Sequence, residues 1–211
     1  METLLPALLE GAGTSLVVFF LTLLISVPLG LPVAAARMSA KWYLRIPAKV
    51  FILIIRGTPL ILQLIFVYFA PYYIFHASYD RFTAAIIAMS LNYAAYFAEI
   101  YRGGIESIAK GQYEAAKVLG FTRMQTFFTI ILPQVVKRIL PAMGNEVITL
   151  VKDTALVQTI GVGELFLAAQ NAASRQFSTV PIFIAGVFYF VMNWAVSLLF
   201  SRLERKLDYY R

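Results

Sequence analysis

Residues 114–133 read EAAKVLGFTRMQTFFTIILP. This polar, charged stretch lies between apolar segments long enough to cross a bilayer, and its reading decides the fold. Ala115 and Ala116 give a helix surface with almost no side-chain bulk, suited to sink into a groove on another protein. Gly120 permits a turn that a Cβ would oppose. Pro133 biases Leu132 away from the helical region and is expected to end the element.

On either side the chain is strongly apolar. Of 211 residues, 60% are hydrophobic and only 14% charged, with a mean hydropathy of +0.76. Soluble domains carry a charged share of about 25%. The apolar runs exceed the ~20 residues that cross a hydrocarbon core of ~30 Å. Five spans are expected, at about residues 14–36, 50–72, 82–101, 139–160 and 180–201. Pro28, Gly30 and Pro32 should distort the second half of the first span. Arg56-Gly57-Thr58-Pro59 should break the second, since Pro suits a first helical turn and Gly the break before it. The fold class is therefore all-α, a polytopic membrane protein of one domain, with residues 103–133 as a loop between spans three and four.

The net charge of +7 is placed by topology, not by nucleic acid. Arg37, Lys41, Arg45 and Lys49 follow the first span. Arg102, Lys110, Lys117, Arg123, Lys137 and Arg138 lie between the third and fourth. Arg202, Arg205, Lys206 and Arg211 follow the fifth, whereas the alternate loops hold only Arg81 and Arg175. By the positive-inside rule the N-terminus is expected outside and both the 103–133 loop and the C-terminus in the cytoplasm. The first apolar run is too long for a cleavable signal peptide, and Glu2 and Glu10 stand where its basic region would be.

Chemistry-bearing residues concentrate in the fourth span. Glu146, Thr149 and Asp153 fall at i, i+3 and i+7 on one helix face, and Asn145, Thr149 and Lys152 on the adjoining stripe. Ionisable groups at that depth default to function. A face with both signs offers an acceptor to an ammonium and a donor to a carboxylate; the competing reading is an internal ion pair of Lys152 with Glu146 or Asp153. Gln63 and Asn92 add uncharged amides, and Gln63 suits either a polar solute or a bond to a neighbouring helix. Glu99 beside Arg102 reads as a salt-bridge member. Residues 161–177, GVGELFLAAQNAASRQF, are too short and too polar to span, and read as a half-amphipathic helix on the outer side, either a gate or a connector.

With no cysteine and one histidine, His76, no metal cluster is expected. No GxxxxGK[ST] loop, G-x-S-x-G, HExxH or GxGxxG occurs, so energy must come from another polypeptide. No nucleophile–base pair supports a membrane-embedded enzyme. A stand-alone secondary transporter or channel is the alternative, and no internal inverted repeat supports it.

Four runs carry a family resemblance: IRGTPLILQ at 55–63, EIYRGG at 99–104, the EAA stretch, and LPAMGNEVITLVKDTALVQTIGVGEL at 140–165. Together they resemble the type I ABC importer permeases of the polar amino acid uptake family, over nearly the whole chain. The resemblance implies that Glu114, Ala115, Ala116 and Gly120 dock on a cytoplasmic ABC ATPase dimer, which binds the ATP and magnesium. It implies a second permease copy, identical or similar, and an extracytoplasmic substrate-binding protein that delivers an amino acid, with alternating access between them in the bacterial cytoplasmic membrane. Gln63, Asn92, Asn145, Glu146, Thr149, Lys152 and Asp153 are then the candidate substrate-binding residues, with Glu146 facing the ammonium or a cationic side chain.

Overall fold

The computed structural model describes residues 4–207, and every ordered element in it is helical. In chain order these are α1 (Leu4–Met38), α2 (Trp42–Gly57), α3 (Leu60–Phe75), α4 (Arg81–Glu106), α5 (Lys110–Val118) and α6 (Arg123–Gln125). A π-helical turn (Thr126–Ile131) then leads into α7 (Leu132–Asp153). A 3₁₀ segment (Thr154–Ile160), α8 (Leu165–Gln176) and α9 (Val180–Leu207) complete the chain. By length and apolarity, α1, α4, the continuous 123–160 rod and α9 can each cross a membrane, and the α2–α3 pair makes a fifth crossing only as a bent unit.

α4 is the centre of the bundle. Two-thirds of its most apolar window is buried (67%), against 6% for α9. Small residues make that burial possible: α4 turns Ala84, Ala85, Ala88, Ala94, Ala95 and Ala98 inward, and α1 carries a buried stripe of Thr22, Ser26, Gly30 and Ala34 at a spacing of four. Close backbone approach is how helices gain packing where lipid removes the hydrophobic drive between them. At Gly30 an added Cβ would stand 3.0 Å from Phe97 Cβ, so the crossing requires glycine. Pro28 and Pro32 leave α1 helical throughout, and the Tyr101 hydroxyl donates to the Val27 carbonyl at 3.0 Å in that half.

The break expected in the second span is present, with α2 and α3 meeting at 112° across Thr58 and Pro59. Other expectations are corrected. Pro133 does not end an element but sits in the first turn of α7, directly after the π turn. The preceding π turn lets Leu132 stay helical (φ −57°, ψ −43°) despite the proline after it. The fourth span keeps α geometry only to Asp153 and tightens into a 3₁₀ segment up to Gly161, whose φ of +79° ends it. The 103–133 segment, expected to be helical at Ala115-Ala116, is largely helical.

Candidate functional site

α7 carries the polar face. Its buried side, Val135, Gly144, Val147, Leu150 and Val151, packs on α4 and α9, with Gly144 against the Phe200 ring. That seating fixes the rest of the helix. Glu146 and Asp153 are half-buried, whereas Asn145, Thr149 and Lys152 are exposed. The Thr149 hydroxyl donates back to the Asn145 carbonyl at 3.0 Å.

Asp153 is held from α4: the Tyr93 hydroxyl donates to Asp153 Oδ2 at 2.8 Å. Tyr93 lies beside Tyr96, ring centroids 6.3 Å apart, and within electrostatic range of Glu146. Arg56, in the last turn of α2, lies over the Tyr96 ring at 5.1 Å and also within electrostatic range of Glu146. The structure thus gathers Glu146, Thr149 and Asp153 of α7, Tyr93 and Tyr96 of α4, and Arg56 of the elbow. Lys152 lies within ion-pair distance of neither Glu146 nor Asp153 among the described residues, so the pairing considered from sequence is not formed.

Gln63 and Asn92 meet each other instead. Asn92 Nδ2, 4% exposed as a residue, donates to Gln63 Oε1 at 2.9 Å. Gln63 Nε2 in turn donates to the Ile55 carbonyl (2.8 Å), the Thr58 carbonyl (3.1 Å) and Thr58 Oγ1 (2.9 Å). Both amides therefore brace the α2–α3 elbow against α4, satisfying backbone carbonyls that the break in the helix frees. Tyr93 and Arg56 were not assigned to the site from sequence. Arg56 lay inside the recognised break, but no local pattern points a tyrosine of α4 at Asp153.

The 103–133 segment forms a separate constellation. α5 ends in a Schellman motif around Gly120 (φ +79°): Phe121 N donates to Ala116 O at 3.0 Å and Gly120 N to Lys117 O at 3.1 Å. Thr122 and Gln125 then form a reciprocal capping box that starts α6. Glu114 and Ala115 are exposed, but Ala116 is turned into the chain at 1% exposure. The outward surface is instead Ala115 with Val118 (87% exposed) and Leu119 (73%), and Met124 close by. Beneath it Ile108, Ile131 and Val135 form a small apolar core with Ile105, Phe127 and Ile139. Arg138 of α7 donates to the Ser107 carbonyl and hydroxyl, tying α7 to the end of α4.

One buried carboxylate had no role in the sequence reading. Glu164, fully buried, caps α8 by accepting from Phe166 N and Leu167 N, both at 2.8 Å, and from the hydroxyls of Tyr189 (2.8 Å) and Ser15 (3.3 Å). It joins α8 to α1 and α9. Burial pushes its pKa above the ordinary glutamate range, against the opposing effect of those donors.

Comparison with known proteins accounts for this arrangement. The chain is 40% identical over 205 residues to the glutamine transport system permease protein GlnP of Escherichia coli (strain K12), covering 96% of this chain and 94% of that one. It is 37% identical over 204 residues to the arginine transport system permease protein ArtQ of Bacillus subtilis (strain 168), covering 96% and 93%. Among solved structures, that of an amino acid ABC transporter with histidines superposes with a TM-score of 0.89 at 38% identity, covering 95% of this chain and 94% of that one. Residues 26–209 match the family described as Binding-protein-dependent transport system inner membrane component. The chain belongs to that family, as a non-catalytic ABC permease subunit of the inner membrane.

Proposed function

We propose that the chain is the permease subunit of an ABC importer that carries a polar amino acid by alternating access. The observation that carries this reading is the continuity of one rod. The 123–160 helix starts at the coupling surface and ends at the polar face, so a push on one end displaces Glu146, Thr149 and Asp153 at the other. The small apolar core around Ile131 and the Arg138–Ser107 contacts are the transmission between them.

In this reading a cytoplasmic ABC ATPase dimer binds nucleotide and grips Glu114, Ala115, Val118 and Leu119 on each of two permease copies. ATP-driven closure brings the copies' coupling surfaces together and opens the outward side, where a substrate-binding protein delivers its cargo. The N-terminus lies outside and the C-terminus in the cytoplasm, in keeping with the charge asymmetry of the loops. Glu146 and Asp153 offer acceptors to an ammonium, while Lys152 offers a donor to a carboxylate; Asn145 and Thr149 present hydrogen-bonding groups beside them. Gln63 and Asn92 keep the elbow in place. Relatives named for glutamine and arginine transport agree with a polar amino acid as cargo.

The test is Glu114→Lys and Gly120→Asp, made separately in the reconstituted transporter. Both are expected to insert normally yet lose uptake and the stimulation of ATP hydrolysis by loaded binding protein. Wild-type coupling in both variants would refute the docking role.

A further inference from the structure

The basic end of the bundle holds a cleft beside the polar face, sharing only Arg56 with it. It has a volume of about 290 Å³ and is lined by Arg37 at the end of α1, by Lys49, Ile52, Leu53 and Arg56 of α2, and by Glu99 of α4. Its one carboxylate, Glu99, is already taken. Arg102 Nε reaches both Glu99 oxygens at 3.1 Å, and Arg102 Nη2 reaches Oε2 at 2.7 Å. Arg37 and Arg56 approach the same carboxylate only to 3.7 and 3.9 Å, too far for hydrogen bonds. Lys49 has no ion pair among the described residues. The cleft therefore presents guanidinium and ammonium donors in excess of the acceptors around it.

The helix that supplies two of these cations has the build of an interfacial element. Arg45, Lys49 and Arg56 fall at i, i+4 and i+11, on one stripe of α2. Trp42 and Tyr43 stand exposed at its start (67% and 53%), the residue types that settle at headgroup depth. Leu53 and Ile54, beside the cleft, are 68% and 55% exposed, an apolar track leading away from the charges. α2 turns from α3 by 112°, so the two helices do not share one direction across a membrane. A basic, aromatic-tipped amphipathic helix lying in the interface meets anionic lipid by apolar burial and electrostatics together.

We propose that this cleft binds an anionic phospholipid. The phosphate sits among Arg37, Lys49 and Arg56, and an acyl chain runs along Leu53 and Ile54. The apolar track is what favours a lipid over a free phosphate, which uses the cations alone.

The test uses the full-length chain in phosphatidylcholine nanodiscs containing a minor fraction of phosphatidylglycerol, with retained lipids counted by native mass spectrometry. Wild type is expected to retain phosphatidylglycerol over phosphatidylcholine. Lys49→Gln should weaken that enrichment about fivefold, the effect of one basic side chain near an anionic surface, and Lys49→Glu should abolish it. Lys49 has no ion-pair partner to lose, so these variants keep the fold. Equal enrichment in wild type and both variants overturns the site. Displacement of the retained lipid by inorganic phosphate or by deacylated glycerophosphoglycerol at matched concentration overturns the lipid assignment, leaving a soluble-anion site.

Discussion

The Tyr93 hydroxyl donates to Asp153 Oδ2 at 2.8 Å, so the central helix of the bundle holds the last acidic residue of the polar face. Tyr93 is 2% exposed and cannot find water in place of this partner. Tyr93→Phe should therefore lower the unfolding free energy by about 1 kcal/mol, as hydrogen bonds between membrane helices do, and lower uptake by releasing Asp153. Asp153→Asn keeps an acceptor for Tyr93 but loses the charge, so melting should stay near wild type while uptake falls. Thermal melting and uptake by proteoliposomes separate the two; unchanged uptake in Asp153→Asn would remove Asp153 from the solute path.

Glu146 stands about two turns before Asp153 on the same face, half-buried and, among the described residues, without a hydrogen bond. Glu146→Ala should depress uptake at least tenfold, since an unmet ammonium or cationic group costs upward of about 1.4 kcal/mol in a partly dry site. The ATPase should still copurify, because the coupling surface lies at the other end of the rod. Wild-type uptake of every amino acid tried would reject the pocket.

The close approach of α1 to α8 gives a sharper stability test. A Cβ on Gly11 would lie 2.8 Å from Leu165 Cα and 3.0 Å from the Glu164 carbonyl carbon, backbone atoms that no rotamer moves aside. Gly11→Ala should cost about 1–3 kcal/mol. At Gly13, two residues on, a Cβ meets nothing within 4 Å. Gly13→Ala should stabilise by up to about 1 kcal/mol through helix propensity alone. Opposite shifts in melting temperature are the expected outcome, and equal shifts would place α8 elsewhere.

Much of this was legible in the chain because bilayer thickness and charge placement act over whole segments. The five apolar runs, the break at Arg56–Pro59 and the one-sided polar face of α7 all follow from period and composition. What escaped depends on neighbours distant in sequence. Tyr93 meets Asp153 across 60 positions and Ser15 meets Glu164 across 149. Glu164 in particular reads locally as one acid after Gly161-Val162-Gly163, and only the fold turns it into a cap shared by three helices. Ala116 is a related case: Ala115 and Ala116 are equivalent in bulk, and only the packing of α5 on the π turn decides which one faces out. Pro133 was misjudged because a proline rule for α geometry does not anticipate a π turn before it.

Gly120 separates backbone from surface at the coupling segment. Its φ of +79° is left-handed, and a Cβ there meets nothing of this chain within 4 Å, so within this chain the effect of an uncharged substitution is conformational. Asn tolerates this region, whereas a β-branched residue pays about 1–2 kcal/mol or unwinds the cap. Gly120→Asn should keep most of the binding-protein-stimulated ATPase activity and Gly120→Val should lose most of it. Equal loss in both would show that the partner needs the bare glycine surface rather than the turn.

Glu164 supplies the pH dependence. Its pKa is raised by burial above the 4.5 of an unperturbed glutamate. The folded state therefore binds its proton more tightly than the unfolded state, and the linked stability is fully present below about pH 4.5 and is lost as pH rises through the folded-state value. Opening of α8, followed by hydrogen exchange at Phe166 and Leu167, should become easier as pH climbs from 4.5 towards neutrality. Glu164→Gln keeps a carbonyl oxygen for one of those two amides and carries no charge, so its opening should be flat across the same window and no easier than wild type at neutral pH. Glu164→Ala removes the cap as well and should exchange faster at every pH, by about 1 kcal/mol or more. A wild-type profile that slopes the other way would mean that the donors from Ser15, Tyr189, Phe166 and Leu167 outweigh burial, and that the latch holds an anion tighter than an acid.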